Sequence, residues 1–426
     1  MTDRHVVAHI LRRLTFGPTA AEVDAALRDG LPATVDRLFA PAAVAFPALG
    51  PDPVRSLAKG ASREERQKAR QAATQQATEA LAWWAGQMAA HGGSAAEKLT
   101  FFWHGHWATS VQKVRSAGLM LEQQKTLRRY GVGTTGPLVR AMLRDPALIL
   151  WLDGQKNTRK APNENLAREV MELFTLGVGH YTEDDVKAAA RVLTGWVVDR
   201  TTGTSRLDAK RHATAPVTLL GRAGPFDVDG FADLLVRHPA HVPFLAGRVW
   251  LRYGSTSQPA PAALSAALSA AGNDVTAMLR ALALDPAFPQ TAGHLVKQPV
   301  EWVVGAVRQL GVDPAKGRKQ ILAGLRALGQ VPFRPPSVGG WPAGEAWLTT
   351  AAAQARLRTG QALAALAPAV LEDLAEAATA DRLDALARLL AVDAWTGRTA
   401  AVLTPAAKDP RRLLAIGLAT PEYTVH

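Results

Sequence analysis

Cysteine is absent from all 426 residues. The chain can therefore form no disulfide, and it offers no thiolate metal ligand, no cysteine nucleophile and no cysteine-held iron–sulfur cluster. Tyrosine is scarce, with 4 copies, while alanine and leucine abound, a balance that favours helices over strands. No apolar run approaches the roughly 18–20 residues needed to span a bilayer, so no membrane insertion is expected. The opening segment MTDRHVVAHILRRLTFGPTA lacks the unbroken apolar core and small-residue cleavage site of a signal peptide. It reads as the first helix of the fold, and on that ground a cytoplasmic location is expected. Also missing are a G-x-S-x-G nucleophile elbow, a P-loop and a dinucleotide fingerprint.

The composition that remains, 48% hydrophobic and 20% charged, is that of a soluble globular protein. The formal net charge of +12 suits an anionic ligand. No finger, RNP or helix-turn-helix signature accompanies it, so nucleic acid is not an expected partner. Basic residues are scattered, and in the densest cluster, REERQKARQ at 63–71, Glu64 and Glu65 precede Lys68 at spacings that suit a solvated helix face.

Helical periodicity, punctuated by Gly and Pro, runs through most of the chain and predicts an all-α, multi-helix, bundle-like fold. Residues 199–228, rich in Thr, Gly and Pro, break it and read as a small β-hairpin or irregular insertion. The expected organisation is an N-terminal helical subdomain (1–198), the insertion (199–228) and a C-terminal helical subdomain (229–426) packed as one continuous unit with the first. A second interruption, GQVPFRPPSVGGWPAGEAW at 329–347, is a Pro/Gly-rich loop carrying Trp341 and Trp347. Tryptophans of this kind are frequent interface anchors.

Two stretches carry candidate chemistry. In EKLTFFWHGHWATS, residues 97–110, Ser94 followed by Glu97 predicts a capping box and a helix start after Gly92-Gly93. At about 100° per residue, Leu99, Phe102, Trp103 and His106 share one buried stripe, and His104 lies about 200° from His106. One metal held by both histidines would require Gly105 to break the helix, since ligands on a helix are usefully spaced by three or four. The competing reading of His106 is a core histidine satisfied by one or two hydrogen bonds.

In APNENLAREVMELFTLGVGHYTEDDVKAAARVLTGW, residues 161–196, a helix over 164–176 capped at or near Asn163 is followed by a Gly turn. A second helix then starts at Thr182 with Asp185. Asn165, Glu169 and Glu172 fall within an arc of about 60°, flanked by Arg168. Either this is a solvated face, or the two glutamates enter a polar cavity where one binds a cation or works as an acid or base. His106, Glu169 and Glu172, supported by Asn165, would suit a divalent metal.

These segments, with HILRRLTFGPT (9–19), KQPVEWVVGAVRQLG (297–311) and the 329–347 loop, resemble the bacterial domain-of-unknown-function 1800 family over nearly the whole chain. The matching positions include His9, Arg13, His104, His106, Asn165, Arg168, Glu169, Glu172, Lys297, Gly340 and Trp341. The resemblance implies no settled activity. It does imply a sulfatase-like partner protein, because relatives are often encoded beside one, and relatives are often exported.

Two classes of function stay open. One is an enzyme in which His104, His106, Arg168, Glu169 and Glu172 perform acid–base or metal-assisted chemistry, with Arg13, Asn165 and Lys297 holding an anionic or polar substrate. The other is a non-catalytic binding or assembly protein acting with a partner. A haem-binding oxidoreductase with histidine as axial ligand is a second alternative, without thioether linkage.

Overall fold

Polar caps start the helices where the sequence places them. In the computed structural model, which describes residues 3–40, 43–58 and 60–426, the first helix spans Arg4–Leu14 and buries Val7, Ile10, Leu11 and Leu14. The helices Ala20–Asp29 and Arg63–His91 open with complete capping boxes, Thr19 with Glu22 and Ser62 with Glu65. On the second of these Lys68 reaches Glu64 at 2.7 Å, the solvated pairing expected of that segment. Pro41 and Ala42, at the start of the Pro-rich loop, lie outside the described residues.

The described residues contain 23 α-helices and two small two-stranded antiparallel sheets. The fold is therefore mostly α with a minor β insertion. Trp196–Asp199 pairs with Thr204–Leu207, Trp196 opposite Leu207, and Val217–Leu219 pairs with Arg222–Gly224, Val217 opposite Gly224. Both hairpins fall in or just before the Thr/Gly/Pro-rich stretch, where turn residues outnumber good helix formers. No helix among the described residues is long and apolar enough to cross a membrane.

Two large apolar clusters form the interior. One joins Ile10 and Leu14 to Trp103, Phe174 and Tyr253; the other joins Trp84 and Phe101 to Trp302, Leu414 and Tyr423. Each draws residues from both sides of the insertion, so the division at 199–228 does not separate two cores. The helix Ala95–His106 runs between them, with Leu99, Phe102 and Trp103 in the first cluster and Phe101 in the second. All 12 of its residues are buried. Each large apolar side chain so buried contributes about 1.5–3 kcal/mol.

The 329–347 loop lies against this central helix. Gly340 has φ +83°, and a Cβ there would stand 2.3 Å from the Gly105 carbonyl oxygen. Only glycine permits that backbone-to-backbone approach. Trp341 and Trp347 are 5% and 7% exposed, and Trp347 Nε1 donates to the Pro342 carbonyl at 3.1 Å. Neither tryptophan projects as an interface anchor, because both are spent on packing the loop down.

Candidate functional site

Ser94 starts the central helix, though not through the expected capping box. Its Oγ accepts from the Ala96 N–H at 3.2 Å and donates to the Leu38 carbonyl at 3.0 Å. The Glu97 carboxylate turns away, taking the Arg128 guanidinium at 2.5 and 2.8 Å and the Trp84 indole N–H at 3.1 Å. A buried bidentate charge pair outcompetes a local cap worth about 1 kcal/mol.

The two histidines face opposite ways, as a helix dictates, and both are buried. His104 Nε2 accepts from the Phe333 N–H at 2.9 Å, which leaves the ring proton on Nδ1, and the ring packs against Trp84, Phe333 and Trp341. His106 Nε2 donates to the Phe174 carbonyl at 2.9 Å. Burial pushes both imidazoles down to about 3, helped for His106 by Arg248. Both are therefore neutral core groups at physiological pH.

The segment that receives His106 departs from the expected single helix. Asn165–Glu169 is α-helical, but Val170–Thr175 is a π-helix. The wider turn leaves carbonyls at its end without helical partners, and two imidazoles supply them. His106 caps Phe174, and His241 Nδ1 donates to the Thr175 carbonyl at 3.0 Å while its Nε2 meets Thr135 Oγ1 at 3.1 Å. Periodicity at 3.6 residues per turn cannot register such an insertion.

The acidic residues are engaged elsewhere. Asn163 Oδ1 accepts from the Asn165 N–H at 3.1 Å, close to the expected cap, and Asn165 Nδ2 donates to the Leu152 carbonyl at 3.2 Å. Arg168 grips Glu183 at 2.8 and 2.7 Å and touches Glu164 at 3.2 Å. Glu172 accepts from the Tyr181 hydroxyl at 2.9 Å. Glu169 is half-buried, and desolvation together with the charge of Glu172 raises its pKa. Thr182 and Asp185 do form their capping box.

The ligand set of His106, Glu169 and Glu172 is not assembled, and no group of three or more His, Asp or Glu side chains placed to share a metal ion occurs among the described residues. Haem does not fit this pair either, since Nε2 of each histidine is already committed to the backbone. The physical reason is common to both. The π-segment carbonyls and the Phe333 N–H are buried polar groups that must be satisfied, and the imidazoles satisfy them.

The charged groups that the fold does bring together are Lys98, on the central helix itself, and residues of other helices. Lys98 and Glu301 form an ion pair at 2.9 Å with side chains 4% and 7% exposed. Lys98 Nζ also donates to the Arg12 carbonyl at 3.2 Å and sits 5.7 Å from the Tyr253 ring centroid. Glu301 in turn accepts from the Gln298 N–H at 2.8 Å, fixing the start of the helix Pro299–Gln309. Arg13, expected to hold substrate, is fully buried and donates to the Tyr253 and Gly254 carbonyls at 3.2 and 2.9 Å. Burial lowers its pKa to about 9. Lys297 is buried over the Tyr423 ring, 3.6 Å from its centroid, and desolvation followed by Arg12 drives its pKa well below the usual lysine value.

Beside this cluster is a cavity of about 10 Å³, room for about one water molecule. Lys98, Arg252, Tyr253 and Glu301 meet in its walls with Phe101, Phe102 and Trp341. Arg252 ties the covering loop down, donating to the Trp341 carbonyl at 3.0 Å, and burial pushes its pKa down to about 10. The Tyr253 hydroxyl and Trp341 Nε1 are buried without a hydrogen-bond partner. Burial, then Glu301, raises the Tyr253 phenol, so it stays protonated.

Of the expected site residues, His104 and His106 lie on the helix that forms one wall, Arg13 and Lys297 lie behind the cluster, and Asn165, Arg168, Glu169 and Glu172 belong to a separate surface network. Lys98, Arg252, Tyr253 and Glu301 were not anticipated. One signal was available: EKLTFFW and PVEWVV each set a charge in an almost wholly apolar helical stretch, and a charge there must be buried with a partner.

The family model described as "Protein of unknown function (DUF1800)" matches residues 9–425. No curated protein and no solved structure matches the chain.

Proposed function

The chain belongs to the DUF1800 family, and we propose that it is an enzyme performing acid–base chemistry on a small anionic or polar substrate in the cavity beneath Trp341. One observation carries this reading. Tyr253 and Trp341, whose hydroxyl and Nε1 are buried without partners, line the same small cavity as the Lys98–Glu301 pair and Arg252. An unsatisfied buried polar group costs about 1–3 kcal/mol, and two of them converging beside three charges are what a bound ligand with acceptor atoms would satisfy.

The roles follow from the chemistry of each group. Arg252 and Lys98 would hold a carboxylate or similar anionic group. Tyr253, kept protonated by burial, would donate to an oxygen on which charge develops. Glu301, already sharing a proton-bearing partner at 2.9 Å, would accept a proton from substrate. A substrate larger than water requires the 329–347 loop to move, since the cavity holds about one water. No metal takes part in this scheme.

Tyr253→Phe tests it. The change deletes only a hydroxyl with no partner, so thermal stability should hold or rise. Stabilisation of the wild type by small carboxylates, read as a shift in Tm, should shrink in the variant. A wild-type protein that no small carboxylate stabilises, or a variant stabilised to the same degree, would remove the proposal.

A further inference from the structure

We infer that the chain carries a second and separate ligand site, an open cationic groove that takes a phosphorylated small molecule through its phosphate groups. The groove, about 740 Å³, lies where the 52–55 loop, the helix Val111–Val114, Trp151 and Arg200 meet. An adjoining cleft of about 360 Å³ shares Arg115 and Gln112 with it. Six cations, Arg55, Arg70, Lys113, Arg115, Arg200 and Arg334, line the two, against one carboxylate, Asp52.

The cations are mostly uncompensated. Lys113 pairs with Asp153 at 2.8 Å, and Arg200 donates to the Val114 carbonyl at 2.9 Å. Arg55, Arg70, Arg115 and Arg334 form no ion pair with the described residues, and all four line this one concave region. Burial and then the neighbouring Arg55 lower the pKa of Arg200, with Asp52 opposing and Arg115 adding to the shift.

Two further features belong to the groove. Arg115 has φ +55°, the left-handed conformation of a helix C-cap, its N–H donating to the Val111 carbonyl, and this fixes where its side chain leaves the helix Val111–Val114. Trp151, whose ring lies 5.7 Å from Lys113 Nζ, also lines the groove, and its buried Nε1 has no hydrogen-bond partner. Several guanidinium forks lining one concave region match the many acceptor oxygens of an oligophosphate. The groove's size falls in the range of small-molecule sites, about 300–1,000 Å³. A groove of about 740 Å³ suits a compact ligand better than an extended nucleic acid.

Calorimetric titration of the full chain with tripolyphosphate tests the assignment. One saturable site is expected, weakening between about 50 and about 300 mM salt as charge pairing does. Arg115→Gly keeps the left-handed backbone and removes the guanidinium, so it should fold normally and bind about tenfold more weakly; Arg55→Ala, an exposed position, should do the same. Tyr253→Phe should leave tripolyphosphate binding unchanged, which separates this site from the cavity beneath Trp341. Binding that does not saturate, or that both arginine variants retain, overturns the inference. So does tighter, Arg115-dependent binding of a short single-stranded RNA than of tripolyphosphate.

Discussion

Substituting His104 by Gln isolates the cost of keeping an imidazole uncharged in the core. His104 is fully buried among three aromatic rings, with Trp84 centred 4.8 Å away and Phe333 and Trp341 each 5.5 Å away. Burial alone lowers its pKa from 6.5 to about 3. The unfolded chain therefore takes up a proton near pH 6.5 that the folded chain refuses until about pH 3. Stability from this group is complete above the unfolded value and is lost as pH falls through that window, by about 1.4 kcal/mol per pH unit. Between about pH 7.5 and about pH 5 the wild type should lose about 2 kcal/mol through His104 alone.

A glutamine amide oxygen can occupy the position of Nε2 and keep the bond from the Phe333 N–H, which spans 2.9 Å in the native protein, but it does not titrate. The variant should lose about 1–2 kcal/mol of packing at pH ~7.5 and close that gap at pH ~5. Urea midpoints at the two pH values, converted with a common m-value, read the difference. Parallel pH dependence in the two proteins would refute the reasoning, because it would mean that His104 is already charged, or already solvated, in the folded state.

Asp145 titrates with the opposite sign. Burial raises its pKa from 3.8 to about 7, so its contribution is present below the unfolded value and is lost as pH rises to about 7. Asp145→Asn keeps an acceptor for the Leu148 N–H and for Gln123, each now 2.8 Å from Oδ1. Relative to wild type it should gain about 1.4 kcal/mol per pH unit between about pH 4 and about pH 7, and equal slopes in urea titrations would argue against the burial account. Gly340→Ala forces a Cβ to within 2.3 Å of a backbone oxygen at φ +83°; roughly 2–4 kcal/mol should be lost, seen as a lower Tm and faster proteolysis within 329–347. An unchanged Tm would mean that the loop does not press on Gly105.

Much of the local structure was legible in the residues. The helix Ala95–His106 and the opposite directions of His104 and His106 follow from 100° of rotation per residue, as do the turn and capping box that start Glu183–Val192. Legibility failed where a distant group competed for a local one. Glu97 has the right spacing to cap Ser94, yet Arg128, 31 positions on, takes it. The stretch around Glu172 has the pattern of an unbroken helix, yet its π turn is stabilised by His106 and His241, neither of which is near it in sequence. A fully buried helix presents no wet face, so the amphipathic argument could assign His106 to the core but could not find that His104 and Lys98 were there too.

Helix positions, most caps and turns, and the facing of each side chain on a regular helix were determined by the sequence itself, because dihedral preferences and i to i+4 contacts are local and the 3.6-residue period is rigid. Tertiary structure alone decided that Lys98 meets Glu301, that Tyr253 and Trp341 share a cavity, and that six cations, Arg115 among them, line two adjoining clefts. The physical reason is that a buried charge or an unpaired cation takes its partner from whatever the packing of distant helices brings within about 4 Å, and no spacing along the chain encodes that distance.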